Sequence, residues 1–138
     1  ARVAIGANDA QTVKAFVEAD AYPGTSLIIA YSHCIAHGYD LVLGPSQQKT
    51  AVDAALWPLY RYDPRRAVLG EPALKLDSGD PKVPVSEFTK NEARFRMIEK
   101  MDPDRYRQLL EMAQQAADQR WAAYKHMAQL GAGAPAAK

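Results

Sequence analysis

Cys34 is the one cysteine in the chain, and histidines flank it: His33 directly before, His37 three residues after. A thiol and an imidazole at this spacing can do several things. A Cys–His pair can form an activated nucleophile for acyl transfer. Cys34, His33 and His37 together offer zinc-type donors, but no second pair follows to complete a four-ligand set. A thiolate by itself can ligate a soft metal or a cluster. The plain alternative is a small buried hydrophobe, since free cysteine is among the most buried residue types. Position alone favours that alternative for Cys34. It favours ordinary loop residues, bonded to backbone or water, for both histidines.

Arg61, Arg65 and Arg66 form a second cluster beside Tyr60 and Tyr62. Guanidinium groups grip phosphate and carboxylate well. The competing reading is a solvated turn with a structural ion pair, for instance to Asp63, and it is the favoured one. Asp63, Asp77 and Asp80 are loop acids that nothing pairs into an acid/base dyad. No glycine-rich dinucleotide fingerprint, P-loop, H-E-x-x-H or EF-hand pattern occurs.

The elements that must position these groups alternate strand and helix in the first half. Arg2–Ala7 reads as a strand. Asn8 is an N-cap candidate, with Gln11 at capping-box spacing. Ala10, Val13, Phe16 and Val17 recur at helical spacing and suggest the buried face. Ser26–Tyr31 (SLIIAY) is a continuous apolar run, as expected for a strand covered on both faces. Strand, helix and strand make a βαβ unit, and Cys34 falls in the loop after it. Ligands gather in that place in open α/β sheets. Pro45 suits a helix start for Gln47–Leu56. Trp57–Tyr62 reads as a strand whose Pro58 belongs at an edge or a strand start. Leu74 and Leu76 allow another short strand.

The second half is helical. Ser86 is a cap candidate, and Phe88, Ala93, Phe95, Met97 and Ile98 sketch an apolar face. Asp102-Pro103 marks a new helix start. From there Tyr106, Leu110, Ala113, Ala117, Trp121, Tyr124 and Ala128 step by three or four, a long amphipathic helix. Residues 1–80 thus read as an α/β unit, 81–130 as a helical extension and 131–138 (GAGAPAAK) as a flexible tail. The Trp121–Tyr124 stripe needs a partner surface, on its own α/β half or on another domain. Trp121 and Leu110 would be its docking residues if that partner is another domain.

The chain has 138 residues, 48% of them hydrophobic and 24% charged, which suits one globular domain. Its 17 basic residues against 16 acidic ones give a formal charge of +1. That balance argues against nucleic-acid or membrane-surface binding. No apolar run is long enough to span a membrane. A lone cysteine excludes a disulfide scaffold and makes the reducing cytoplasm the expected setting. A buried-type strand opening the chain, with no initiator Met before it, is expected of a piece of a larger polypeptide.

Several blocks resemble one family. Gly6-Ala7-Asn8, Thr12–Tyr22 (TVKAFVEADAY), Ser26–Gly38 (SLIIAYSHCIAHG), Ala51-Val52-Asp53, Trp57–Pro64 (WPLYRYDP), Leu76-Asp77-Ser78 and, more loosely, Glu87-Phe88 with Asn91–Phe95 are similar to the carboxy-terminal region of the pyruvate:ferredoxin (flavodoxin) oxidoreductases. The blocks keep the family's order and cover about two-thirds of the chain. The resemblance implies an α/β fragment of a mostly parallel thiamine-diphosphate-binding sheet with flanking helices and a long C-terminal helical arm. It implies oxidative decarboxylation of pyruvate or another 2-oxo acid, with coenzyme A yielding acetyl-CoA. It also implies thiamine diphosphate with Mg2+, and electron transfer through [4Fe-4S] clusters to ferredoxin or flavodoxin, in a homodimer of the full enzyme. Cys34 matches the cysteine of the family's Y-S-P-C-I-x-H-G block, which ligates one cluster; His33 stands where that block has proline or another small residue. A [4Fe-4S] cluster needs four thiolates, so three must come from elsewhere. The magnesium–diphosphate motif is absent from the chain too. An isolated fragment is therefore expected to be inactive. Two other readings remain: an interaction module without catalysis, and a free-standing thiol enzyme using Cys34 with His37.

Overall fold

Asn8 starts the first helix as its spacing predicts: its side-chain oxygen accepts a 2.9 Å hydrogen bond from the Gln11 amide. This computed structural model describes residues 1–130, so the expected tail lies outside the described residues. In chain order the elements are β1 (Arg2–Val3), α1 (Asp9–Asp20), β2 (Ile29–Ala30), two 3-10 turns (Ile35–His37, Leu41–Leu43), α2 (Gly44–Asp53), β3 (Tyr60–Tyr62), α3 (Pro64–Val68), β4 (Leu74–Leu76), α4 (Val85–Thr89), α5 (Ala93–Met101) and α6 (Pro103–Gln129).

The α/β class holds, but the sheet is mixed rather than mostly parallel. Its order is β2-β1-β3-β4. The β1–β2 pair is parallel, in register Arg2 to Ile29, and the β1–β3 and β3–β4 pairs are antiparallel. The reason lies in the connections. A parallel return needs a crossover of a dozen or more residues, usually a helix. The α1 helix supplies one between β1 and β2. Only the five-residue α3 lies between β3 and β4, and the chain doubles back there.

The strands are also shorter than their apolar runs. Both Ala7 and Asn8 donate their amides to the Ala4 carbonyl at 3.0 Å, so the chain turns into α1 directly after β1. Pro58 has no donor, and β3 begins two residues beyond it, which fits a strand start. The Trp57 indole N–H still reaches back to the Val3 carbonyl at 3.0 Å. The Arg2 guanidinium lies 3.7 Å over the Trp57 ring, and Tyr31 meets that ring edge-on.

The largest surprise is the orientation of α1. Its buried residues are Gln11, Thr12 and Ala15, whereas Val13, Phe16 and Val17 face outward. Polar chemistry explains the buried face. Gln11 donates to the Arg2 carbonyl at 3.3 Å and to Asp77 at 3.1 Å. Asp77 also takes a two-point bond from Arg61, 2.8 Å to each oxygen, and Arg61 reaches Glu18 of α1 at 2.5 Å. This network ties α1, β3 and the chain beyond β4 together. It displaces the apolar stripe, which this chain leaves bare. Leu27 and Ile29 of the apolar run are likewise exposed.

The last helix matches its reading closely. The Asp102 side chain caps it by accepting from the Arg105 amide at 2.9 Å, and Pro103 takes the first turn. Ala117 and Trp121 are buried, and the other stripe residues are half-buried. The helix lies on its own α/β half. Its Tyr124 ring packs 5.2 Å from that of Tyr60, and Arg120 donates to the Leu56 carbonyl at 3.1 Å. The preceding apolar face is split into α4 and α5 by a turn at residues 90–92, and Pro84 rather than Ser86 occupies the cap position. Phe88 and Phe95 meet with ring centres 6.2 Å apart, while Met97 and Ile98 are exposed.

Breaking the Arg61 network should be costly, because it strands a largely buried carboxylate. Arg61→Met is expected to lower unfolding free energy by about 3 kcal/mol. Phe16→Ser is expected to change it by less than about 0.5 kcal/mol. Chemical denaturation of the two variants beside the parent checks both values.

Candidate functional site

Cys34 lies past the carboxyl end of β2 and opens the first 3-10 turn. Its backbone is extended (φ −143°, ψ 129°), and its thiol is free and half-buried. The turn that follows is short because Gly38 closes it in the left-handed region at φ 73°. Glycine is needed there twice over. A Cβ at Gly38 would be strained by the positive φ and would stand 2.6 Å from the Cβ of Ala93. The Gly38 carbonyl accepts from the Ala93 amide at 3.1 Å, so the Cys34 loop is docked on the first turn of α5.

The structure sends the two histidines to different partners. His33 lies against Gly44, where α2 begins, with its Nδ1 3.4 Å from the Gln48 amide nitrogen. His37 turns toward Glu92, with Nδ1 3.8 Å from a carboxylate oxygen. Among the described residues no group of three His, Cys, Asp or Glu side chains is placed to hold a metal ion. The three-donor zinc arrangement is therefore not formed.

Glu92 is the residue that spacing did not reveal. It is fully buried (0% exposed), at the cap of α5. It accepts from Gln47 of α2 at 3.0 Å and from Arg94 at 2.5 Å. Asn91 in turn donates to the Gln47 oxygen at 3.1 Å, and Gln47 donates to the Phe88 carbonyl at 3.1 Å. Two buried polar atoms beside this carboxylate have no partner: His37 Nδ1 and the Tyr39 hydroxyl. Burial, followed by the Glu92 charge, pushes the Tyr31 phenol up to about 12, and the same causes raise Tyr39. A cleft beside the loop is lined by Tyr31, Ser32, His37, Trp57, Phe88 and Arg94, among others.

The arginine cluster does not converge on a ligand. Arg61 is held by Asp77 and Glu18, Arg65 by Asp63 at 2.8 Å, and Arg66 by Glu71 at 3.0 Å. Hydrogen bonding from Arg65 also holds the Asp63 carboxyl below its usual range. The expected ion pair to Asp63 is made by Arg65, whereas Arg61 is buried on β3 in the Asp77 network instead of lying in a solvated turn. Asp80 pairs with Lys125 at 2.9 Å and sits 3.4 Å from the Trp121 indole nitrogen. Among the described residues, no helix is long and apolar enough to cross a membrane.

No family model matches the chain. Whole proteins do. The chain is 53% identical over 128 residues to a pyruvate-flavodoxin oxidoreductase of Rhodospirillum rubrum, covering 93% of this chain and 11% of that protein. It is 40% identical over 129 residues to the pyruvate:ferredoxin oxidoreductase of Moorella thermoacetica, covering 94% and 11%. A probable pyruvate-flavodoxin oxidoreductase of Escherichia coli is 49% identical over 109 residues, covering 79% and 9%. The fold is α/β, and the sequence it carries matches one stretch of much longer oxidoreductases. The chain belongs with the pyruvate-flavodoxin and pyruvate:ferredoxin oxidoreductases, and it spans about 11% of the length of these relatives.

The cluster test can be made on donor chemistry. One free, half-exposed thiol on a loop suits one ligand of a shared cluster, and the described residues offer no further thiolate. For magnesium and diphosphate they offer no matching donor set. Nothing here is assigned to those groups.

The Tyr31 shift has a sign that can be checked. Its proton is held more tightly in the folded chain than in the unfolded one. Stability from this group is therefore full below the unfolded value, about 10, and is lost as pH rises toward about 12. Ultraviolet titration should show one tyrosine ionising last, and Tyr31→Phe should remove that step.

Proposed function

We propose that this chain is a working segment of an oxidoreductase that decarboxylates pyruvate, or a related 2-oxo acid, with coenzyme A. Electrons would leave through iron–sulfur clusters to ferredoxin or flavodoxin, and Cys34 would supply one thiolate of a [4Fe-4S] cluster. Thiamine diphosphate and Mg2+ would be held by other parts of the polypeptide. In this reading residues 1–80 close the thiamine-diphosphate-binding domain and residues 81–130 extend it. The fragment alone is inactive, and the full enzyme is a cytoplasmic homodimer.

One observation carries this reading. A match over 128 of 138 residues necessarily runs through the Cys34 loop, at 53% identity to a protein named for this reaction. The placement of the thiol supports it. The group is free, half-buried and beyond the end of a strand, where a cluster shared with another segment could be reached. When bound, a cluster supplies one-electron transfer. This chain's part is to present the thiolate and to hold its loop on α5.

The interaction-module reading keeps one observation of its own, the bare stripe Val13, Phe16 and Val17. A docking face there replaces the one expected around Trp121, because Trp121 is buried in its own chain. The thiol-enzyme reading gains no support, since His37 turns to Glu92.

Cys34→Ser in the full-length enzyme separates the two surviving readings. Loss of one cluster's signal in low-temperature electron paramagnetic resonance, with physiological electron transfer at least about 100-fold slower, is expected if Cys34 is a ligand; removing partners of a metal site commonly costs ten- to about 100-fold. Unchanged cluster signals and turnover, together with loss of assembly in Phe16→Asp, would mean that the module reading is right.

A further inference from the structure

We infer that Glu92 is the positioning residue of the Cys34 loop: it fixes where the thiol stands relative to the sheet end. The inference rests on the cluster reading for its purpose, but its geometry stands separately. A carboxylate at 0% exposure is retained only where donors compensate its lost hydration. Three separate pieces of chain surround Glu92, and two of them donate to it.

Gln47 reaches it from the first half of α2 and Arg94 from the first turn of α5. The third piece is the Cys34 turn itself, whose His37 Nδ1 lies 3.8 Å away. The backbone reinforces the arrangement at the next residues, where the Ala93 amide donates to the Gly38 carbonyl. Gly38 must be glycine for that approach, since a side chain there would run into Ala93. The turn is thus tied at its far end to α5 by a backbone bond, with His37 facing the Glu92 carboxylate, while the thiol at its near end caps nothing. The carboxylate does not touch the thiol. It acts through the turn, which is what distinguishes positioning from ligation.

Side chains just before a helix commonly cap its first amides. Here the Glu92 side chain forms no cap bond to its own helix and is spent on neighbours instead. The buried, unpartnered His37 Nδ1 is an atom that a modest shift of the turn would bring within hydrogen-bond range of this carboxylate.

The test uses the full-length enzyme with Glu92→Gln, which keeps shape and removes charge. Gln47→Met withdraws one donor and serves as the second variant should Glu92→Gln not accumulate. Glu87→Gln, on the surface and paired with Lys90, is the control. Two readouts are needed. The first is the resonance spectrum of the cluster whose signal disappears in Cys34→Ser. The second is the alkylation rate of Cys34 in iron-depleted enzyme, followed by peptide mass mapping. Glu92→Gln should shift the spectrum of that one cluster and speed Cys34 alkylation by roughly tenfold, the scale of weakening the charged Arg94 bond that holds residue 92 in place. The control should change neither.

A folded Glu92→Gln enzyme with lowered thermal stability, unchanged spectrum and unchanged alkylation would overturn the inference and leave Glu92 a structural residue only. If Cys34→Ser itself leaves every cluster signal intact, the cluster reading fails, and the alkylation rate alone then decides whether Glu92 holds the loop.

Discussion

A carboxylate sealed from water has to be surrounded by donors, and much of the architecture around Cys34 follows from that requirement at Glu92. The Gln47 side chain must point inward from α2, so α2 has to pack against the α4–α5 junction. Asn91 must orient the Gln47 amide by donating to its oxygen. Arg94 must fold back on the residue two before it. The turn at residues 90–92 separates α4 from α5 and carries Glu92 at the start of α5. Burying an ion this way offers little net stabilisation but a strong penalty for misplacement. A site that needs one defined geometry is served by such a penalty.

Arg61 imposes the same logic at the other end of the sheet. Its ties to Asp77 and Glu18 bring α1 against β3 through polar groups, so the apolar stripe of α1 has to face away. The chain therefore carries two kinds of surface. The α6 side is closed by its own residues. The α1 and β2 side exposes Phe16, Val17, Leu27 and Ile29.

Local signals were the legible part of the sequence. The Asn8 and Asp102 caps, Pro103, and the three-four stepping from Tyr106 to Ala128 all depend on neighbours within one turn, and all are present as read. The ion pair between Asp63 and Arg65, two residues apart, was legible for the same reason. What depended on distant partners was not. The inward face of α1 is set by Asp77, 66 residues away from Gln11. The sheet's mixed direction is set where β3 pairs antiparallel with β1, nearly 60 residues before it, and with β4. Glu92 gave no sign of burial, because its compensation by Gln47 lies 45 residues off. Cys34 was found by type and position. Its surroundings, and the separation of His33 from His37, needed the fold.

We propose that these residues work inside a 2-oxo-acid oxidoreductase. The most direct measurement is anaerobic purification from the native host through a tag placed after Lys138, followed by assay of pyruvate- and coenzyme-A-dependent reduction of a viologen dye. If they do, the tag travels on an iron-containing polypeptide far longer than 138 residues, and the dye is reduced only when both substrates are present. A short, iron-free species that reduces no dye would contradict it.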